Sequence, residues 1–287
     1  AALAAAVFVS GCVVSIDSQA EIVREERQFS VAGVPDLHVA TFDGSIEVRS
    51  WDQPMVRVEI EKRGATREAI DALEISTTQD GDRIEVDIRH PRTESFRGIG
   101  FHHSASAKLT VSLPRRSNLR ARSGDGAIRI EGVDGRIDLR TGDGTIRATD
   151  VTGDLIMNTG DGSVTVDGAE GRVEVDTGDG GISIGGRVAR LRLHTGDGSI
   201  VVRAEPETRM TEQWEITTGD GNVALYLPPG FGAELDAHTG DGTIQNEFGI
   251  LNEGGERSRR TLRGRLGEGG PNLRIRSGDG SIRLRRS

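Results

Sequence analysis

The sequence predicts an all-β chain whose body is a parallel β-solenoid of the β-helix or β-roll kind. Its coils are 18 residues long with two short strands each, and an N-terminal β-rich segment with one short helix caps them. Three observations lead there. The tetrapeptide Ser/Thr-Gly-Asp-Gly recurs between Leu119 and Val202 with its aspartate at Asp125, Asp143, Asp161, Asp179 and Asp197, a step of 18 residues each time. Within that step lies a period of nine, marked by Gly126, Gly135, Gly144, Gly153, Gly162, Gly171, Gly180 and Gly198, with Ala189 the exception. Behind each mark apolar and other residues alternate, as in Ile146-Arg147-Ala148, the pattern of a strand with one buried face. So short a strand and turn cannot bury its own apolar side, and coils must stack to cover one another.

Ile137 and Leu139, Leu155 and Met157, Val173 and Val175, and Leu191 and Leu193 are expected along one inner wall. Ile128 and Ile130, Ile146 and Ala148, Val164 and Val166, Ile182 and Ile184, and Ile200 and Val202 line the other. A thin core of β-branched residues accounts for an aromatic content of only 3%. The same parity turns Thr141, Thr159, Thr177 and Thr195 inward, where a buried hydroxyl must find a partner.

From the beginning, Ala1–Val9 is an apolar run too short to span a bilayer. With Val9-Ser10-Gly11-Cys12 behind it, the run resembles the end of a secretory signal and a bacterial lipobox, in which the cysteine is acylated. Cys12 is the single cysteine, so no internal disulfide is possible. In lipoproteins of this kind Val13, rather than aspartate, after the cysteine points to the outer membrane. Residues 1–11 are thus read as a signal remnant and 12–28 as a lipidated tether, with 29–113 a β-rich cap and 114–287 the solenoid.

Within the cap, Leu37 to Val48 reads as a first, degenerate coil with Phe42 in place of the first glycine. A strand at Val56–Ile60, a helix near Thr66–Leu73 and a hairpin around Asp80-Gly81-Asp82 follow. Arg92–Ser106 reads as a loop, and Lys108–Leu113 as a strand ended by Pro114. Beyond Val202 the turn aspartates Asp220, Asp241 and Asp279 come at looser steps, with the extra residues on loops. Arg285 and Arg286 at the end read as charges that discourage edge-to-edge growth.

The formal net charge is −9, yet Glu256 to Ser287 carries +7, leaving −16 on the rest. An acidic body argues against nucleic acid as a partner. The basic end could meet anionic phosphates or an acidic partner, or simply be a solvated cap.

Chemistry-bearing motifs are few. Gly181-Ile-Ser183-Ile-Gly185 fits the nucleophile pattern in letters, but Ser183 falls at an outward strand position where no elbow forms. His90, His102 and His103 lie near one another in sequence without metal-ligand spacing, and His194 and His238 read as surface variation. The aspartates Asp125, Asp143, Asp161, Asp179 and Asp197 form a candidate cation ladder, with Ca²⁺ the ion to test, although their offset differs from calcium-binding nonapeptide rolls. The plainer reading is that they hold turns. No catalytic set and no cofactor site is expected.

The lipobox, the Thr110-Val-Ser-Leu-Pro114 element and the run of coils resemble the bacterial putative-adhesin family, β-strand-repeat envelope proteins otherwise called a domain of unknown function. The resemblance implies a non-enzymatic envelope lipoprotein, held to the membrane by its lipid anchor and facing periplasm or surface. Its repetitive surface would serve adhesion, scaffolding or contact with envelope glycan or protein. Two alternatives are a polysaccharide-binding or polysaccharide-cleaving β-helix, and a flat Ser/Thr surface for a crystalline ligand.

Overall fold

The structure, a computed structural model, describes residues 13–17, 20–90, 105–250 and 259–287. Ala1–Val9, Cys12, His102, His103 and most of the expected 92–106 loop lie outside the described residues. The chain is all-β apart from one short helix among those described. It divides into two units: unit 1 runs to Gly135 and includes Leu139–Thr141, while unit 2 holds Arg136–Asp138 and Gly142–Ser287.

In unit 1 the chain order is β1 (Val13–Asp17), β2 (Ala20–Ser30), β3 (Asp36–Thr41), β4 (Ile46–Trp51), β5 (Met55–Gly64) and α1 (Arg67–Asp71). Then come β6 (Glu74–Asp80), β7 (Arg83–Arg89), β8 (Ser106–Pro114), β9 (Asn118–Ser123) and β10 (Ile128–Glu131), with β11 (Asp134–Arg140) after them. Thr66 caps α1 by accepting the Ala69 N–H at 3.3 Å, and Ile70 anchors it in the core. The β6–β7 hairpin turns at Gly81, whose φ of 58° suits glycine.

β3 is paired in parallel on both sides, Leu37 facing Ile84 of β7 and Leu119 of β9. β4 likewise faces β8 through Leu109 and β10 through Ile128. The expected first coil is therefore flanked by later parts of the chain. Beyond it β6 extends one side antiparallel to β7, and β5, β2 and β1 extend the other in an antiparallel series from β8.

The stretch expected as a tether is strand instead, for β2 pairs with β5 from Glu21↔Gly64 to Ser30↔Met55. Between buried Val23 and Phe29 the same face of β2 carries Glu25 and Arg27, so no apolar alternation marks it in the sequence. Lys62 of β5, 6% exposed, reaches Glu25 at 2.6 Å, and Arg27 reaches it at 2.8 Å. Burial alone would raise the Glu25 pKa, but the hydrogen bonds and charges of Lys62 and Arg27 outweigh it and hold the carboxyl below its usual range.

Unit 2 continues with β12 (Ile146–Thr149), β13 (Thr152–Thr159), β14 (Val164–Thr177), β15 (Ile182–Thr195), β16 (Ile200–Ala204) and β17 (Trp214–Thr218). β18 (Val223–Leu227), β19 (Ala233–Thr239), β20 (Ile244–Asn246), β21 (Thr261–Leu266), β22 (Asn272–Ser277) and β23 (Ile282–Arg286) complete it. Ile146, Val164, Ile182 and Ile200 pair in succession in parallel, as do Leu155, Val173 and Leu191, each in steps of 18. The apolar residues expected on both inner walls are buried.

The two corners of each coil differ, which the even nine-residue period conceals. One is the Thr-Gly-Asp-Gly turn. At the other β14 and β15 run on without a break, and their pairing slips between Val166 and Ala169 and again between Gly171 and Arg172. The slip explains Ala189: Gly171 faces Val188 and Arg172 faces Arg190, so Ala189 is left outside the register, while Gly186, facing Ala169, carries the positive φ (146°) of that corner. The Ala189 carbonyl is left to accept the N–H groups of Thr211 and Glu212 at 3.2 and 3.3 Å.

The end of the chain is not the end of the stack. β22 lies between β17 and β19, with Leu273 facing both Trp214 and Leu235. β23 lies between β18 and β20, with Ile282 facing both Val223 and Ile244. Turns therefore stack in the order Asp220, Asp279, Asp241. Arg285 and Arg286, expected at a free edge, belong to this internal strand; in the other stack β21 closes the free side of β19, antiparallel to it.

Candidate functional site

The turn edge is built from backbone and hydroxyls. In unit 2 the Thr159 hydroxyl is shared between the carbonyls of Gly142 (3.1 Å) and Gly144 (2.9 Å). Thr177 treats Gly160 and Gly162 alike at 3.1 and 3.0 Å, and Thr195 treats Gly178 and Gly180 at 3.2 and 2.9 Å. Thr141 makes the same pair of contacts in unit 1, with Gly124 and Gly126. Each inward threonine thus fastens its turn to the carbonyls of the one before.

Asp125, Asp143, Asp161, Asp179 and Asp197 are all exposed. A methyl placed on Gly160 would lie 2.9 Å from an Asp143 oxygen, and the distances for Gly178 to Asp161 and Gly196 to Asp179 are 3.1 and 3.3 Å. Each carboxylate thus leans over the first glycine of the following turn, as an aspartate that shapes backbone does. Among the described residues no group of three or more His, Cys, Asp or Glu converges.

A second ladder runs beside it in stacking order. Ser199 Oγ accepts the Asn222 N–H at 3.3 Å, Asn222 Oδ1 accepts that of Ser281 at 3.0 Å, and Ser281 Oγ accepts that of Thr243 at 3.3 Å. Sequence reading missed it because its members fall in rank only once the last coil is inserted.

The outer face of one strand stack in unit 2 is self-neutralising. Across neighbouring strands the exposed or half-buried column reads Glu174, Arg192, Glu215, Arg274, Asp236, Arg263, alternating in sign throughout. Chain order would set Glu215 beside Asp236, and like charges directly opposite are destabilising. Burial would raise the Asp236 pKa, but hydrogen bonds and charges from Arg276 and Arg263 outweigh it and hold the carboxyl below its ordinary range. This alternation is the signal in the sequence that could have given the coil order.

In unit 1 a shallow depression of 290 Å³ lies over β7, β3 and β9, where small Ala40 sits between Asp87 and Arg122. His38, Glu85 and Arg120 border it, so its charge is mixed. Ser183 is the second residue of β15 and the strand runs on past it, so the strand–turn–helix an elbow needs is absent there. His194 and His238 are exposed on the outer face, His238 within 3.0 Å of the Thr261 hydroxyl, and His90 packs edge-on to Phe42. No helix among the described residues is long and apolar enough to cross a membrane.

No curated protein matches the chain. Among solved structures it is similar to a putative lipid binding protein from Parabacteroides distasonis, at 13% identity over 91% of this chain and 96% of that one, with a TM-score of 0.44. It is also similar to a putative adhesin from Bacteroides fragilis (12% identity, 91% and 96% covered, TM-score 0.36). A third is a putative cell adhesion protein from Clostridium sporogenes (14%, 92% and 99%, TM-score 0.30). The family comparison reaches almost the whole of both units: the model of the Toastrack DUF4097 family matches residues 35–285, and the chain belongs to that family.

Proposed function

We propose that this chain is a non-enzymatic protein of the bacterial cell envelope, a parallel β-solenoid whose stacked coils present a repetitive surface for adhesion or scaffolding. Lipid attachment at Cys12 would hold it to the outer membrane, facing the periplasm or the surface. One observation carries the reading. The turn edge of unit 2 repeats from coil to coil in fixed register, with inward hydroxyls and stacked glycines fastening each turn to the last, and the outer-face positions follow the same register. Such a surface is rigid and regular, suited to many weak contacts at once. The test uses cells carrying the chain behind its native leader. Saturable attachment of the protein to isolated envelopes is expected, and Cys12→Ala should move it from the membrane to the soluble fraction. Envelopes that do not retain the protein refute the adhesive role, and unchanged partition of the variant refutes the anchor.

A further inference from the structure

The two strand stacks of unit 2 treat charge in opposite ways. One outer face alternates in sign, as described. On the other, Gly185, Arg203, Tyr226 and Arg285 follow one another across β15, β16, β18 and β23. One step along, Ser183, Val201, Ala224 and Arg283 do the same. Arg203 and Arg285 are exposed, and among the described residues none of these three arginines has a carboxylate partner. The Arg203 guanidinium lies 5.3 Å from the centre of the Tyr226 ring. Tyr226 is the only tyrosine in the chain. Ser183, Gly185 and Ala224 are small, so the ring and the guanidiniums stand above a low floor.

We infer that this face is a binding site for an acidic saccharide, one bearing carboxylate or phosphate groups. This rests on the adhesive reading and specifies its ligand. The half-buried Tyr226 ring still presents apolar surface to a sugar, while guanidinium forks pair with carboxylate or phosphate through two hydrogen bonds at once. Arg203 and Arg285 flank the ring from neighbouring strands, about 9–10 Å apart at the backbone. Arg283 lies on the same face as Arg285, so anionic groups on successive sugars can each meet a guanidinium. The ligand supplies the negative charge that the opposite stack supplies for itself.

Titration calorimetry on the full chain tests this with oligogalacturonate, its methyl ester, a phosphorylated glucosamine disaccharide and inorganic phosphate. At least one acidic saccharide should bind, and preference between the two tells a uronate polymer from a phosphorylated lipid headgroup. Loss of the carboxylate in the methyl ester, or Arg283→Gln with Arg285→Gln, should weaken binding about tenfold or more. Tyr226→Phe should retain binding and Tyr226→Ala should lose it, with melting curves confirming that each variant folds. Equal affinity for the methyl ester, unaffected arginine variants, or inorganic phosphate binding as tightly as the saccharides would overturn the site. If the double arginine variant still attaches to envelopes as the parent does, this site fails and the adhesive role stands.

Discussion

Gly180 and Gly181 are neighbours in sequence, yet replacing them with alanine should have opposite effects. A Cβ at Gly180 would run into the Gly162 carbonyl, lying 2.6 Å from its carbon and overlapping its oxygen, and 2.7 Å from Thr177 Oγ1. Ordinary contact is about 3.5–4.0 Å between carbon atoms, so the turn would have to lift from its neighbour by roughly an ångström. Overpacking of this kind costs about 1–3 kcal/mol. The same movement disturbs the hydroxyl bonds from Thr177 to Gly162 and from Thr195 to Gly180, each worth about 0.5–1.5 kcal/mol. Gly180→Ala is therefore expected to destabilise by roughly 2–6 kcal/mol. At Gly181 the nearest atom to such a Cβ is Ser199 O at 3.5 Å, and φ is not in the left-handed region. Gly181→Ala should be neutral or stabilise by about 0.4–1 kcal/mol through the unfolded chain. Urea unfolding followed by circular dichroism reads both as midpoint shifts. Equal loss from the two substitutions would refute the close stacking of turns.

Thr177→Val, at a site only 1% exposed, leaves two carbonyls short of a donor and should cost about 1–3 kcal/mol in the same assay, whereas Thr177→Ser should cost less. Deleting Gly144 to Asp161 removes one coil of 18 residues and rejoins equivalent positions, so circular dichroism should still report a folded, shorter protein. Deleting Gly144 to Thr152 joins unlike corners and should be far worse; equal damage would mean the longer unit is not a coil. The depressed Glu25 pKa in the folded chain makes its stabilisation fully present above the unfolded value near 4.5 and lost as pH falls through the folded one. Lys62→Met should flatten the pH dependence of melting below that value, and an unchanged profile would dismiss the ion pair as its source. Bridging of the aspartate ladder by cations is tested by melting in CaCl₂ and NaCl at matched ionic strength: a larger rise in calcium is expected, and identical curves leave the aspartates as turn formers only.

The sequence displays the coil because the coil is written in local terms. Ile146, Val164, Ile182 and Ile200 repeat at one interval, and parity alone turns Thr159 and Thr177 inward. Which coil lies beside which is a nonlocal matter. Nothing near Leu273 announces that it faces Trp214 on one side and Leu235 on the other. The same holds for β3, whose two neighbours come from distant segments. β2 escaped for another reason: Glu25 and Arg27 occupy the face where apolar residues would have signalled a strand, and their partner Lys62 lies on β5. Ala189 looked like a lapse in the repeat because a one-residue slip sets Val188 opposite Gly171 and leaves Ala189 outside the register. Of the site, the turn residues were legible, while the arginines around Tyr226 gather only through strand pairing.

The inserted terminal coil sets the order in which unit 2 can be finished. As the polypeptide is made, β19 and β20 emerge before β22 and β23, yet they have no parallel neighbour until those later strands arrive. A product stopped before Asn272 has Trp214 and Val223 facing an empty slot, and its outermost segment has nothing to dock on. Completion is thus withheld until β22 and β23 are available. A nascent chain without β22 and β23 leaves this slot open, and the two strands together fill it.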